Sequence, residues 1–297
     1  MKHIIKDIGA TFFAILLFFT LIFLAGVFTI QTIFQEKNIS KMINEMDLTT
    51  EIQNRPELKQ VDDILNDVYL VSEEYGIPKE FVDATLNHTA TKEWIGNITY
   101  QILEETVTNS EQVTISSDQL LQLIEEHFDE FEQESGITLT EDQKDTFLSL
   151  TEEHADELLD QLPTTQKLRE KIQGSILNRI ELLLSPQIIT ITVGILFVLM
   201  ILILLCKWKE KTWLLYFATP LLFAGILLPI LGILSQNILP ILIESSNDLI
   251  YLLLEQIAEM IKQQFINLGI LGIILSIFCF ILYFLLKKVS QKKEIET

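Results

Sequence analysis

Leu182 to Cys206 reads LLLSPQIITITVGILFVLMILILLC, an unbroken run without an Asp, Glu, Lys, Arg or His, held between Glu181 and Lys207. A helix needs about 20 mostly apolar residues to cross a bilayer core of roughly 30 Å, and a core helix of a soluble protein rarely runs so far without a charge. Three more stretches share the property: Ile8 to Gln35, Thr212 to Ile243, and Gln263 to Leu286. The chain therefore reads as an all-α integral membrane protein with four transmembrane helices. The first stretch far exceeds the roughly 7–15 residues of a signal-peptide core. Ala25-Gly26 offers a weak cleavage site, and no Cys follows it to take a lipid. An uncleaved signal anchor is expected.

Lysines near the span ends set the direction, because cytoplasmic loops carry the excess of Lys and Arg. Lys2 and Lys6, then Lys207, Lys209 and Lys211, then Lys287, Lys288, Lys292 and Lys293 gather on one side. Both termini are expected in the cytoplasm of a cell-membrane protein. The order becomes a cytoplasmic N-terminus at 1–7, the anchor at 8–35, and an extracytoplasmic domain at 36–186. A span at 187–206, a cytoplasmic loop at 207–211 and a span at 212–234 follow. An extracytoplasmic amphipathic segment at 235–265, a span at 266–286 and a cytoplasmic tail at 287–297 complete it. Trp208 and Trp213 flank the inner ends of spans two and three, where interfacial aromatics belong.

The 297 residues are 49% hydrophobic and 21% charged, with a formal net charge of −20. Mean hydropathy is +0.35 all the same, so apolar and charged residues are segregated along the chain. Gln35 to Pro186 holds 33 acids against 11 bases, and Glu93 to Asp160 holds 19 acids against Lys144 alone. The acidity thus belongs to the expected outer domain. Such a surface repels anionic headgroups and polyanions and favours cations or a basic partner. The plainer reading is a solvated face that keeps the domain soluble. A nucleic-acid binder would need a basic face. Two cysteines rule out a disulfide scaffold or a Cys-rich zinc module. Cys206 and Cys279 sit in apolar runs and read as small core residues.

The outer domain reads as helices. Pro56 suits a first turn, and Val61, Ile64, Leu65, Val68 and Val71 recur at helical spacing. Tyr75-Gly76-Ile77-Pro78 ends that helix and opens another. Trp94, Ile95, Ile98, Ile102 and Leu103 mark a third. Ser116 with Gln119, and Thr140 with Gln143, resemble capping boxes. The first precedes the stripe Leu120, Leu121, Ile124, Phe128 and Phe131, ended by Gly136. The second precedes Phe147, Leu148, Leu158, Leu159 and Leu162. Pro163 interrupts, and Leu168, Ile172, Ile176, Ile180 and Leu183 form a last stripe. An all-α bundle is expected. Pro220 and Pro229 should kink or break span three. Leu249, Leu252, Leu253, Ile257, Met260 and Ile261 make the segment after it amphipathic, packed on the outer domain or lying at the membrane surface. Ala10 and Ala14, and Gly272 and Ser276, suit close helix packing.

Chemistry is sparse. Glu125-Glu126-His127-Phe128-Asp129-Glu130 and Glu152-Glu153-His154-Ala155-Asp156-Glu157 each put His and Glu at i and i+3 on a helix, a usable ligand pair. A hairpin turning near Gly136 would set His127 opposite Phe147–Leu148 rather than His154, so no joint metal site is expected. An EF-hand about Gly136 fails, because Phe131 would occupy its first position. Diffuse, weak divalent-cation binding to the acidic face is compatible with the composition. No phosphate-binding loop, dinucleotide fingerprint, nucleophile elbow or H-E-x-x-H string occurs, so no catalytic residues, cofactor or metal ligands are assigned. Asn38-Ile39-Ser40, Asn87-His88-Thr89 and Asn97-Ile98-Thr99 fit the glycosylation pattern. The charge-free runs lack the ionisable residues that proton and ion relays need.

Tyr75-Gly76-Ile77-Pro78, the run from Gly136 to Gln143 and Leu184-Ser185-Pro186-Gln187-Ile188 give a pattern that resembles a loose group of uncharacterised membrane proteins of Gram-positive bacteria. Those combine a signal anchor, a helical outer domain and three clustered spans. The resemblance implies no activity. The order of spans is also similar to that of permeases of the cell-division and macrolide-export ABC type, which work with a separate cytoplasmic ATPase. Here the loop between spans two and three is only 207–211, and the cytoplasmic parts hold no domain of their own. The expected function is a non-enzymatic membrane protein whose outer domain binds or senses a protein partner at the cell surface. The alternative is a permease-like subunit.

Overall fold

A computed structural model describes residues 2–55, 58–108, 116–161, 165–171, 174–210, 212–242 and 248–295. Among the described residues every regular element is helical. In chain order these are α1 (Lys2–Ile33), α2 (Glu36–Asn44), α3 (Leu48–Asn54), α4 (Lys59–Glu74), α5 (Lys79–Asn87), α6 (Thr89–Thr108) and α7 (Ser117–Ser135). Then come α8 (Glu141–Gln161), α9 (Thr165–Lys171), α10 (Gly174–Leu184), α11 (Pro186–Lys207) with a 3-10 turn at Trp208–Glu210, α12 (Trp213–Leu242) and α13 (Asp248–Ile295). They form two compact units. One takes residues 1–33, 180–242 and 257–297, the other 34–179 and 243–256. Pro56, read as a helix start, Leu162 and Ile172, read as stripe residues, Pro163, read as a break, and Lys211 lie outside the described residues.

Among the described residues four helical segments are long and apolar enough to cross a membrane: Ile5–Ile33, Pro186–Glu210, Trp213–Gln236 and Glu255–Lys288. This fits a multi-pass membrane protein. Phe12, Phe19, Phe197, Phe223, Phe278 and Phe284 all stand outward. A helix that is apolar all round needs apolar surroundings. Inside, Leu17, Leu199, Ile203 and Phe217 pack together. Gln31 donates to the carbonyls of Leu183 (2.8 Å) and Ser185 (3.1 Å), while Asp7 accepts from Lys207. α1 and α11 are therefore antiparallel. Ser276 donates to Ala218 O at 2.7 Å, and Gln236 to Glu259 at 2.9 Å, so α12 and α13 are antiparallel too.

Of the kink or break expected in span three, a break does not occur. α12 runs unbroken through Pro220 and Pro229. A proline removes one backbone donor and its ring needs room; a transmembrane helix tolerates one where a neighbouring helix accommodates it. That neighbour is α13. A Cβ on Gly269 would lie 2.5 Å from Pro229 Cδ and 2.7 Å from Gly225 O. The glycine thus admits the ring beside the carbonyl that Pro229 leaves without its helical donor. Gly272 sits nearly as close, its Cβ position 3.3 Å from Gly225 Cα. α13 also continues from Asp248 through the border drawn at 265/266 without interruption.

In the second unit Leu65, Tyr69, Ile77, Phe81, Ile124, Phe128, Phe131 and Phe147 are part of one core. Phe81 stacks on Phe128 with centroids 5.8 Å apart and meets Phe147 edge-on at 5.2 Å. Gly76, at φ +74°, closes α4: the amides of Gly76 and Ile77 return to Glu73 O and Ser72 O. Gly136, at φ +69°, ends α7. Thr140 and Gln143 form the reciprocal cap, with Thr140 N donating to Gln143 Oε1 at 3.0 Å and Gln143 N to Thr140 Oγ1 at 3.3 Å. Gln143 Nε2 then reaches Gly76 O at 2.8 Å, joining the two turns. Ser116 caps α7 through the amide of Asp118 rather than a box with Gln119. Helices α2 and α3 are absent from the sequence expectation. α2 lies so close on α6 that a Cβ on Gly96 would meet Ser40 Cα at 2.7 Å.

Candidate functional site

α5 ends at Asn87, and the next residue turns the chain into α6. His88 holds that corner: its Nδ1 accepts from the Ala90 amide at 3.2 Å, an N-terminal cap for α6. A neutral imidazole with an accepting Nδ1 carries its proton on Nε2. Nε2 faces Glu130 Oε2 at 3.5 Å and Glu134 Oε2 at 3.8 Å. From the first of these α7 residues the contact continues to His127, whose Nδ1 is 3.0 Å from the same Oε2. The two imidazole centroids are 6.0 Å apart, and the Phe131 ring meets His88 edge-on at 4.9 Å. Glu130 thus bridges two histidines, His88 from the α5–α6 corner and His127 from α7. Beside them opens a cavity of about 490 Å³ whose walls include Glu93, Trp94 and Asn97.

Asn87 secures the same corner from behind. Its Oδ1 accepts from Leu48 N at 2.8 Å, and its Nδ2 donates to Thr49 Oγ1 at 2.9 Å and Asp47 Oδ1 at 3.2 Å. Asp47 caps α3, accepting from the Thr50 amide at 3.0 Å and the Thr49 hydroxyl at 2.9 Å. These hydrogen bonds, the Thr50 amide first, lower the Asp47 carboxyl from 3.8 to about 2. Of the three glycosylation triplets, that of Asn87 has its amide committed to this knot. Nearby, burial above all, and then donation to the Asp83 carboxylate, pushes the Tyr69 phenol well above its ordinary value. Lys79 lies over that ring at 4.3 Å.

The two His/Glu strings stay apart. His127 pairs with Glu130, and His154 approaches Glu157 at 3.7 Å further along the chain on α8. The hairpin register brings Phe147 to Phe128, centroids 6.0 Å apart. His127 is joined instead by His88, which in the sequence is only the middle of an Asn-His-Thr triplet. The usable signal was its place immediately after one helix and before another. Among the described residues no group of three or more His, Cys, Asp or Glu is arranged to hold a metal ion. With Nδ1 accepting, a neutral His88 has no free lone pair on Nε2 for a cation. What the cavity offers is acceptors, Glu93 and Glu130, beside the Trp94 ring.

One end of the apolar unit holds a buried cation. Lys207 is only 3% exposed. Its ammonium donates to Asp7 and, at 2.7 Å, to Glu210, and lies 5.8 Å from the Tyr216 ring centroid. A buried lysine is costly unless paired, and this one has two carboxylates. The sequence marks it only as a flanking cation.

No family model, no curated protein and no solved structure matches this chain.

Proposed function

We propose that this is a non-enzymatic multi-pass membrane protein, with both termini cytoplasmic, whose acidic helical unit lies outside the cell and binds or senses a basic protein partner. The observation that carries the reading is the segregation of charge. Nearly all the negative charge sits in one helical unit, and the flanking lysines gather at the other set of helix ends. The antiparallel pairings of α1 with α11 and α12 with α13 support a common lysine side, since each pairing puts its lysine-bearing termini together. The cavity beside His88 is the preferred contact point. Its two carboxylates would receive a lysine or arginine, and Trp94 would cover the aliphatic stem.

Two measurements test this. A Gln133→Cys variant should react with a membrane-impermeant maleimide on intact cells, and a Lys209→Cys variant only after permeabilisation; the reverse pattern overturns the sidedness. A photo-crosslinking residue at Asn97 should capture one protein in intact cells. That capture should be lost on combining Glu93→Gln with Glu130→Gln. Capture that survives neutralisation, or none at all, overturns the binding role.

A further inference from the structure

A groove of about 960 Å³ lies between α1 and α12 in the apolar unit. Thr11, Ile15 and Phe18 line it from α1, and Thr219, Phe223 and Leu227 from α12. It begins at Asp7, Lys207 and Glu210. Asp7 to Phe18 covers about 16 Å of helix at roughly 1.5 Å rise per residue. That is half of a bilayer core of roughly 30 Å. The groove is therefore walled on both sides for the depth of one leaflet, with charge at the headgroup end and apolar walls beyond.

The charge at that end chooses the headgroup. Lys207 is buried and spent on two carboxylates. The groups that reach the surface are the acids: the Asp7 side chain is 50% exposed and that of Glu210 35%. The three residues together carry one negative charge in excess. Lys6 and Lys209, both exposed, adjoin these acids in the chain. A headgroup that complements this end has an ammonium with hydrogens to donate and a phosphate for the outer lysines. We propose that the α1–α12 groove is a binding site for one aminophospholipid of the leaflet at the ionic end, its ammonium on Asp7 and Glu210 and its chains along Phe18 and Phe223. A choline head has no N–H to donate, and a glycerol head brings no cation, so both should bind less well.

The test is native mass spectrometry of the full chain in detergent, titrated with phosphatidylethanolamine, phosphatidylcholine or phosphatidylglycerol. One phosphatidylethanolamine is expected to bind at least about tenfold more tightly than the other two, as a charge-assisted hydrogen bond of roughly 1.5–3 kcal/mol implies. Thr219→Phe fills the groove away from the ions, at an exposed position, and should remove that preference, as should Asp7→Asn. Equal binding of the three lipids to the unaltered chain overturns the proposal whatever the variants do. So does a preference that persists in a folded Thr219→Phe, or a dimer mass in place of the lipid adduct, which would make the groove a contact between copies.

Discussion

The crossing of α12 and α13 makes a sharp prediction, because two glycines in different spans differ only in what stands before them. A Cβ on Gly269 would lie 2.5 and 2.6 Å from Pro229 Cδ and Cγ and 2.7 Å from Gly225 O. Carbon atoms in contact sit about 3.5–4.0 Å apart. The added methyl therefore has to move by about 1 Å to reach that spacing, and what it meets is a proline ring and backbone, neither of which can swing aside. Overpacking of this kind costs about 1–3 kcal/mol. Gly194 on α11 has nothing within 4 Å of its Cβ position. Both substitutions gain the same helix propensity, up to about 1 kcal/mol, so the gain cancels when the two variants are compared. Gly269→Ala should be less stable than Gly194→Ala by about 1–3 kcal/mol, a difference of roughly 2–4 °C in Tm per kcal/mol. Thermal unfolding of both variants in the same detergent, followed by circular dichroism, measures it. Equal midpoints would refute the argument that Gly269 is there to admit the Pro229 ring.

Other expectations concern the acidic unit. Asp47→Ala removes the α3 cap and should cost about 1 kcal/mol. The folded carboxyl titrates at about 2 and the free one at 3.8, so its stabilisation is present above pH 4 and lost as pH falls from 3.8 through about 2. Denaturation by urea should separate variant and parent at pH 5 and by clearly less at pH 2, where about half of the folded carboxylates are protonated; an equal difference at both would disprove the cap. Arg169 donates to Glu105 O at 2.8 Å and Thr106 O at 3.0 Å, closing the end of α6. Arg169→Ala should cost about 1.5–3 kcal/mol, less the share already screened by solvent. Amide exchange should quicken in the last turn of α6 and not in α7; uniform change would count against a local cap.

What the sequence makes legible is what local physics decides. A bilayer-spanning helix has to be long and poor in charge, so the four helices able to cross one show as runs without charge. A helix end leaves carbonyls and amides that a close chain neighbour must satisfy, so Tyr75-Gly76-Ile77-Pro78 and Thr140 with Gln143 announce themselves. The features that stay hidden all have their partner far along the chain. α2 owes its place to Gly96 on α6, where the lack of a Cβ lets Ser40 approach. α12 passes through Pro229 because Gly269, on the following helix, faces the ring. Read by itself, the proline predicts a kink or a break; read with Gly269, it predicts a crossing.

The same reasoning explains the two candidate sites. His127 and Glu130 were visible as a pair on one helix face, but the residue that makes them a corner is His88, set by the α5–α6 turn and held by Asn87 against Asp47 and Thr49. Lys207 counts as one more flanking cation until Asp7, far back on α1, is placed beside it by the antiparallel pairing of α1 and α11. An ion that marks sidedness belongs in water. One that is 3% exposed between two acids at the mouth of a groove carries a desolvation cost of several kcal/mol that only its partners offset. Removing one partner should therefore disturb the groove end far more than removing exposed Lys209, although the two lysines are indistinguishable to any rule that counts charge along the chain. Thermal unfolding in detergent compares them: Asp7→Asn should lower the midpoint and Lys209→Ala should leave it in place. Two variants that melt together would mean that Lys207 is as well solvated as its neighbour.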